Sequence, residues 1–312
     1  MDIDSRLGQE NSCAHAALAW SRIARMSAVA IFAGLAVWMA PEIAAQAATA
    51  AQAMPNDAAA DSPCKHLSPM PAEIQQQMAA MTDAQKSGKP MAPITPADMA
   101  AYEKWQAQGL LEDFGGNCRY ERANASLPAA SDHRVVFFGD SITEGWGRTD
   151  PALFTGEVIN RGISGQTTAQ MLVRFRQDVV DLHPHTVHIL AGVNDLAGNT
   201  GPSSASRVES NIMSMVDMAR ANHIAVVLAS ELPAAVIPWR REINVSTQIA
   251  AVNVWMKEYT AKQGITYIDY YSKLAGDGGA FNPQLTLDGV HPNPAGYKIM
   301  ESMAADVLHL AQ

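Results

Sequence analysis

Short apolar runs that alternate with helix-like segments constrain the fold of this chain of 312 residues more than any other feature. The first run, Val135-Val136-Phe137-Phe138, ends at Gly139-Asp140 and is typical of a buried strand. Similar runs follow at residues 158–159, 187–191, 224–229 and 265–268. Helical periodicity marks residues 168–182, 204–221, 245–263 and 294–310. Alternating strands and helices predict a three-layer α/β/α fold, with a parallel sheet of about five strands.

The amino-terminal segment has the order of features found in a cleaved signal peptide. Arg22 and Arg25 precede an apolar stretch from Met26 to Ala40, which is shorter than the roughly 20 residues of a bilayer span. Two sites of the A-x-A type follow that stretch. We therefore predict a signal peptide over residues 1–53, export to the periplasm or the extracellular space, and no stable membrane span after cleavage. An uncleaved anchor and a disordered leader stay open as alternatives.

Two different segments lie between the predicted signal peptide and the α/β region. Residues 54–70 are rich in Ala, Pro, Asp and Ser and are predicted to form a flexible linker. Residues 71–132 carry helical signals, with a helix start at Thr95-Pro96-Ala97-Asp98. We expect this helical extension to dock on the main domain, residues 133–312. The sequence of the extension is equally compatible with a lid and with a surface that binds a partner.

Charge and cysteine content limit the partners and cofactors. The net charge of -9 disfavours a nucleic-acid partner. Cys13 would leave with the signal peptide, and an exported chain permits one disulfide between Cys64 and Cys118. The sequence leaves open whether that bond forms. The spacing of Cys and His does not match that of a metal site, so we predict neither a metal nor another cofactor.

The loop after the first predicted strand contains the motif Gly139-Asp140-Ser141. A Ser at a strand-to-helix turn can direct its hydroxyl out of the sheet edge, where ligands bind in sheets of this kind. Its backbone N–H is also free to donate a hydrogen bond there. By itself, however, an Asp-Ser pair is more often an ordinary helix cap.

Two more loops carry groups that could stabilise a negatively charged oxygen. In the loop from Asn160 to Thr168, glycines let the backbone turn tightly, and the N–H of Gly165 is a candidate donor. In the turn Gly192-Val193-Asn194-Asp195, the Asn194 amide is a neutral side-chain donor suited to an oxyanion hole. A capped loop and an exposed turn are the ordinary readings of these two segments.

The fourth loop, Asp288-Gly289-Val290-His291-Pro292, precedes the last predicted helix. A catalytic His needs a third group that fixes its tautomer and stabilises the imidazolium. A carboxylate three residues earlier, in a loop stiffened by Gly and Pro, can reach back to the ring. A lone His is more often structural, but Asp288 and His291 together make a catalytic pair equally plausible.

In this order and on these loops, the four blocks resemble those of the SGNH/GDSL hydrolases, which are named for their Ser, Gly, Asn and His. The resemblance covers Arg134 to Leu310. It is greatest to the small GDSL esterases that include the catalytic subunits of platelet-activating-factor acetylhydrolase, because of residues 159–172 and the turn 192–195. The Gly-x-Ser-x-Gly elbow of the α/β-hydrolases does not occur around Ser141.

The resemblance implies a flavodoxin-like fold and a role for each motif residue. It implies a catalytic triad of Ser141, Asp288 and His291, an oxyanion hole of Ser141, Gly165 and Asn194, and supporting carboxylates at Asp140 and Asp195.

The implied activity is hydrolysis of carboxylic esters, preferably with short acyl chains, through an acyl-enzyme. The substrate would be a small-molecule or carbohydrate ester. An O-acyltransferase and a carbohydrate deacetylase acting on envelope or plant polysaccharide stay open, as does a non-catalytic carbohydrate-binding protein. Trp239, Arg240 and Arg241 lie in a Pro-containing loop after the fourth strand, and form either a pocket wall or a solvated rim.

Overall fold

The computed structural model of the protein describes residues 62–87, 89 and 95–310. The predicted signal peptide, residues 1–53, and most of the predicted linker lie outside these residues. Within them, no helix is long and apolar enough to cross a membrane.

The strands in the described residues are β1 (Val135–Gly139), β2 (Val158–Gly162), β3 (Thr186–Leu190), β4 (Ala225–Ala229), β5 (Val236–Ile237), β6 (Arg240–Asn244) and β7 (Thr266–Ile268). Five of them form a parallel central sheet in the order β2-β1-β3-β4-β7, and β5 and β6 form a separate antiparallel hairpin. The apolar residues of β1 and β3 are buried, as expected for strands covered on both faces. The predicted parallel sheet of about five strands is confirmed.

Helices cover both faces of this sheet. In the same part of the chain they are α1 (Ala72–Ser87), α2 (Pro96–Glu112), α3 (Glu121–Ala125), α4 (Ser141–Thr149), α5 (Thr168–Asp178), α6 (Val193–Leu196), α7 (Ala205–Ala221), α8 (Ser246–Gln263), α9 (Tyr271–Leu274) and α10 (Pro294–Leu308). α7 packs between α5 and α8, whereas α10 packs beside α4. The predicted three-layer α/β/α fold is therefore also confirmed.

Strand order places the functional loops together. β1 lies between β2 and β3, so the chain leaves β1 toward one side and later returns to its other side. Such a reversal opens a crevice at the carboxyl ends of the strands, where ligands bind in open parallel sheets. The loops that follow β1, β2 and β3 all meet at that edge.

The extension before the sheet contains two long helices, α1 and α2, and the short helix α3. Thr95 caps α2, because its hydroxyl accepts from the N–H of Asp98 while the Asp98 carboxylate accepts from the N–H of Thr95. The predicted helix start is therefore confirmed. α1 packs against α4, which begins at Ser141, and it also contacts α10. Ile74 and Ala84 of α1 are buried.

A disulfide joins Cys64 to Cys118, which are 54 residues apart in the chain, and the loop that it closes contains α1 and α2. Beside it, the backbone N–H and the hydroxyl of Ser68 donate to the Glu112 carboxylate at 2.9 and 2.8 Å. The sequence left this disulfide open. Residues 64–68 of the predicted linker are therefore attached to the extension, by the disulfide to Cys118 and by hydrogen bonds to Glu112 at the end of α2.

The Cys64→Ser variant should lose about 2–4 kcal/mol of unfolding free energy, because the crosslink no longer restricts the unfolded chain. Urea denaturation of both proteins would measure the difference. A reducing agent provides the control, since it should destabilise the wild type to the same level and leave the variant unchanged. Equal stability of the oxidised wild type and the variant would contradict this role.

Candidate active site

The hydroxyl of Ser141 faces the imidazole of His291. Ser141 is the first residue of α4, directly after β1, and its Oγ lies 2.9 Å from Nε2 of His291. Asp140 caps the helix, since its Oδ1 accepts from the N–H of Ile142 at 2.9 Å. The same turn therefore fits both interpretations of this motif: Asp140 caps the helix, and the Ser141 hydroxyl is directed out of the sheet edge.

The other ring nitrogen of His291 meets Asp288. The Nδ1 atom lies 2.8 Å from Oδ2 of Asp288, and Oδ1 of the same carboxylate accepts from the N–H groups of Val290 and His291 at 3.0 and 2.8 Å. Thr286 closes the loop, because its hydroxyl donates to the His291 carbonyl at 2.8 Å. A carboxylate with this many partners holds the imidazole in one orientation and tautomer.

The two titratable groups of this pair shift each other's pKa in opposite directions. Burial acts to raise the pKa of Asp288, but the charge of His291 and the hydrogen bonds from it lower that pKa to about 2. Burial acts to lower the pKa of His291, and the nearby Asp288 carboxylate outweighs burial and raises it. The Asp288 carboxylate is therefore ionised and able to stabilise an imidazolium.

Two backbone N–H groups beside this arrangement are free to donate. In the described part of the chain, no acceptor pairs with the N–H of Ser141 or of Gly165. Gly165 has a φ of 79°, a backbone conformation that favours glycine. Asn199 fixes this glycine, since its Nδ2 donates to the Gly165 carbonyl at 3.0 Å.

The Asn194 amide lies within a buried hydrogen-bond network. Its Nδ2 donates to Oδ2 of Asp140 and to the carbonyl of Gln166, both at 3.0 Å. Its Oδ1 accepts from Nδ2 of Asn199 at 2.8 Å. The side chain therefore connects the loops after β1, β2 and β3, and both of its amide hydrogens already have acceptors.

The two aspartates expected to support the loops each bridge two segments. Asp140 links the start of α4 to Asn194, and burial raises its pKa to about 6. Asp195 accepts from the N–H and the hydroxyl of Thr168 at 2.7 and 2.6 Å, and so joins α6 to the first turn of α5.

Trp239 lies against the imidazole, whereas its two arginine neighbours point elsewhere. The ring centroids of Trp239 and His291 are 6.0 Å apart, and the indole N–H donates to Oδ1 of Asn199 at 3.0 Å. Arg240 pairs with Glu242 at 2.8 Å, and Arg241 is exposed. The segment predicted as a loop is the β5–β6 hairpin, which forms because a short turn lets adjacent residues pair antiparallel.

Two charged residues near the site were not singled out from the sequence. Glu144 accepts from the N–H of Ser164, and it also pairs with Arg119 at 2.9 Å. Arg174 is fully buried, pairs with Asp178 at 3.0 Å, and donates to the carbonyl at the end of β1 at 3.0 Å. The sequence did contain one signal for Arg174, because this charged residue lies next to the apolar face of the helix predicted over residues 168–182.

Metal ligands do not cluster in the described residues. No group of three or more His, Cys, Asp or Glu side chains is placed there to hold an ion.

Residues 137–299 match the GDSL-like Lipase/Acylhydrolase family. The chain belongs to this family. The match confirms the resemblance seen in the four blocks, and membership supports a carboxylic ester hydrolase. The extension helices α1 and α2 lie outside the matched residues.

Individual relatives agree with this family. A solved GDSL-like lipase from Bacteroides thetaiotaomicron is 45% identical, with a TM-score of 0.61 over 63% of this chain and 98% of the lipase. The uncharacterized lipoprotein YqeF of Bacillus subtilis is 33% identical over 117 residues, which cover 32% of this chain and 48% of YqeF. Acetylxylan esterase of Geobacillus stearothermophilus is 32% identical over 95 residues, covering 22% of this chain and 43% of the esterase. The chain thus spans about half the length of these two curated relatives.

Proposed function

We propose that this protein is an exported serine esterase that hydrolyses short-chain carboxylic esters through an acyl-enzyme. The observation that carries the proposal is the continuous path from Ser141 Oγ to His291 Nε2 at 2.9 Å and from His291 Nδ1 to Asp288 at 2.8 Å. Nucleophile, base and orienting carboxylate in this geometry are the parts that acyl transfer requires.

In the proposed first step, Nε2 of His291 takes the proton of Ser141 as Oγ attacks the ester carbonyl carbon. The carbonyl π electrons move to oxygen, and the N–H groups of Ser141 and Gly165 donate to this oxyanion. Asp288 stabilises the imidazolium. The tetrahedral intermediate then expels the alcohol, which receives the proton from His291. Water, deprotonated by the same imidazole, attacks the acyl carbon to form a second tetrahedral intermediate. This intermediate expels Ser141 Oγ, which takes the proton back from His291, and the acid is released.

Asn194 is the third proposed oxyanion donor, and it differs from the two backbone groups. Because its Nδ2 donates to Asp140 and to the Gln166 carbonyl, it must share or exchange one of these bonds when the oxyanion forms. Catalytic hydrogen bonds are often incomplete before substrate binds and become short only in the reacting complex.

The preference for short acyl chains rests on how deeply the reacting groups lie. Ser141 is 6% exposed and His291 is 5% exposed, so little of either side chain is open to solvent. A small acyl group reaches such buried side chains at a lower steric cost than a long chain.

Export is proposed because of two observations besides the predicted signal peptide. The Cys64–Cys118 disulfide is typical of chains that fold in an oxidising compartment. The relative from Bacillus subtilis is a lipoprotein by name.

Carbohydrate deacetylation is the second candidate function. The acetylxylan esterase relative favours it. Release of acetate from acetylated xylan, compared with turnover of p-nitrophenyl acetate, would separate a polysaccharide deacetylase from a general short-chain esterase.

The Ser141→Ala variant should lose ester hydrolysis and labelling by a fluorophosphonate, because both require the Oγ nucleophile. Gel-based labelling and a p-nitrophenyl acetate assay would measure these losses. Ser164→Ala is the matched control, since it removes a nearby hydroxyl and should still be labelled. Full activity in Ser141→Ala would refute the assignment of the nucleophile.

The Asn194→Ala variant should lower kcat about 10²- to 10³-fold, because a donor to the oxyanion is removed. KM should change much less, since the interaction forms only in the transition state. Steady-state kinetics would provide both values, and a thermal unfolding curve would verify that the variant folds. A folded variant with unchanged kcat would remove Asn194 from the oxyanion hole.

The acidic limb of the kcat/KM profile should move to lower pH in Asp288→Asn. His291 must be neutral to accept a proton, and the Asp288 carboxylate raises its pKa despite burial. Asp140 acts in the same direction and Arg148 opposes both. Loss of the orienting carboxylate should also lower kcat by about 10²- to 10⁴-fold.

A pH series with p-nitrophenyl acetate would measure this shift. The exposed carboxylate of Asp277 offers a control, because Asp277→Asn should leave the limb in place. If the acidic limb of Asp288→Asn stays at the same pH or moves to higher pH, Asp288 does not raise the pKa of the base.

A further inference from the structure

Two side chains of the extension lie beside the proposed oxyanion donor. A Cβ atom added to Gly165 would lie 3.3 Å from Nε2 of Gln106 and 3.6 Å from Oη of Tyr102. Gln106 donates from Nε2 to the Tyr102 hydroxyl, so the two side chains form one unit on one face of α2. Tyr102, Gln106 and Gly165 are all half-buried and retain surface toward solvent.

Contacts beyond the carboxyl end of α2 fix this helix relative to the Gly165 loop. Beyond the end of α2, Gln166 and Gln170 donate to the carbonyls of Gly115 and Phe114, each at 2.8 Å. Further on, the Tyr120 hydroxyl donates to the Gly162 carbonyl. The Cys64–Cys118 disulfide closes the extension around these contacts.

Tyr102 and Gln106 lie outside the segment of the chain that matches the family. The family match begins at residue 137, whereas α2 ends at Glu112. The extension therefore adds side chains next to a loop that the family match includes.

The placement of Trp239 indicates which part of an ester would meet this pair. In the proposed mechanism, His291 protonates the leaving alcohol, so the alcohol lies near the imidazole and the Trp239 ring beside it. The carbonyl oxygen points to the N–H groups of Ser141 and Gly165. The acyl chain is attached to the carbonyl carbon on the side away from the alcohol, and Tyr102 and Gln106 approach the loop of Gly165 that would hold the carbonyl oxygen.

We propose that Tyr102 and Gln106 form the end wall of the acyl site and set the longest acyl chain that the enzyme accepts. This inference rests on the proposed esterase function, and it identifies the residues that select its substrate. A Tyr ring has few rotamers, and the bond from Gln106 restricts it further, so the wall is rigid. A longer chain would have to displace it.

The Tyr102→Ala variant should extend the range of accepted acyl chains. With p-nitrophenyl acetate, butyrate, hexanoate and octanoate, the ratio of kcat/KM for octanoate to that for acetate should rise about tenfold or more, since several methylenes gain an apolar site. Gln106→Ala should raise the ratio less, because it leaves the aromatic ring in place.

Three further variants separate bulk from other effects. Tyr102→Phe keeps the ring and should retain the wild-type ratio, while Tyr102→Leu should raise it without leaving a large void. Glu103→Ala changes an exposed neighbour on the same helix and should leave every ester unaffected. Thermal unfolding of each protein would reveal a variant that fails to fold.

The outcomes distinguish this inference from the proposed function. If the wild type hydrolyses esters and is labelled at Ser141, but Tyr102→Ala and Tyr102→Leu keep the wild-type ratio, the acyl-wall inference is wrong and the esterase stands. Equal loss of activity toward all four esters would also overturn the inference, since it would indicate a role only in supporting Gly165. Absence of Ser141-dependent turnover in the wild type would overturn both.

Discussion

Pairing of β1 with β2 on one side and β3 on the other is the constraint on which the site depends. In this register Gly139 at the end of β1 lies opposite Gly162 of β2 and Leu190 of β3. A Cβ on Gly162 would lie 2.2 Å from the N–H nitrogen of Glu144, so only glycine lets the second loop approach the helix that begins at Ser141. The loops after β1 and β2 meet because Gly139 and Gly162 place no side chain between them.

Once the strands have brought the loops together, buried polar groups hold the loops in place. Asn194 accepts from Asn199 and donates to Asp140, and Asn199 in turn contacts Gly165 and Trp239. Behind this network, the buried carboxylate of Glu231 accepts from the N–H of Val193 at 3.0 Å, and burial raises its pKa. Polar groups withdrawn from water are stable only with such partners, and the same partners fix the donors before substrate arrives.

The extension lies outside the residues that match the family. α1 packs on the helix that begins at Ser141, and α2 brings Tyr102 beside Gly165. A disulfide and the Ser68–Glu112 bonds keep both helices in place. The shared domain thus contains the residues proposed for catalysis, whereas a segment outside it contains those proposed to limit the substrate.

Sequence by itself determined the layers, the five strands of the parallel sheet and which residues form the motifs, because apolar periodicity and loop chemistry are local properties. Only the tertiary structure decided that Trp239 lies against His291, that Arg174 is buried beneath the loops and that Cys64 pairs with Cys118. It also decided that Tyr102 lies beside Gly165. Each of these contacts joins residues far apart in the chain, and no short-range pattern encodes such distances, since they follow from how whole elements pack.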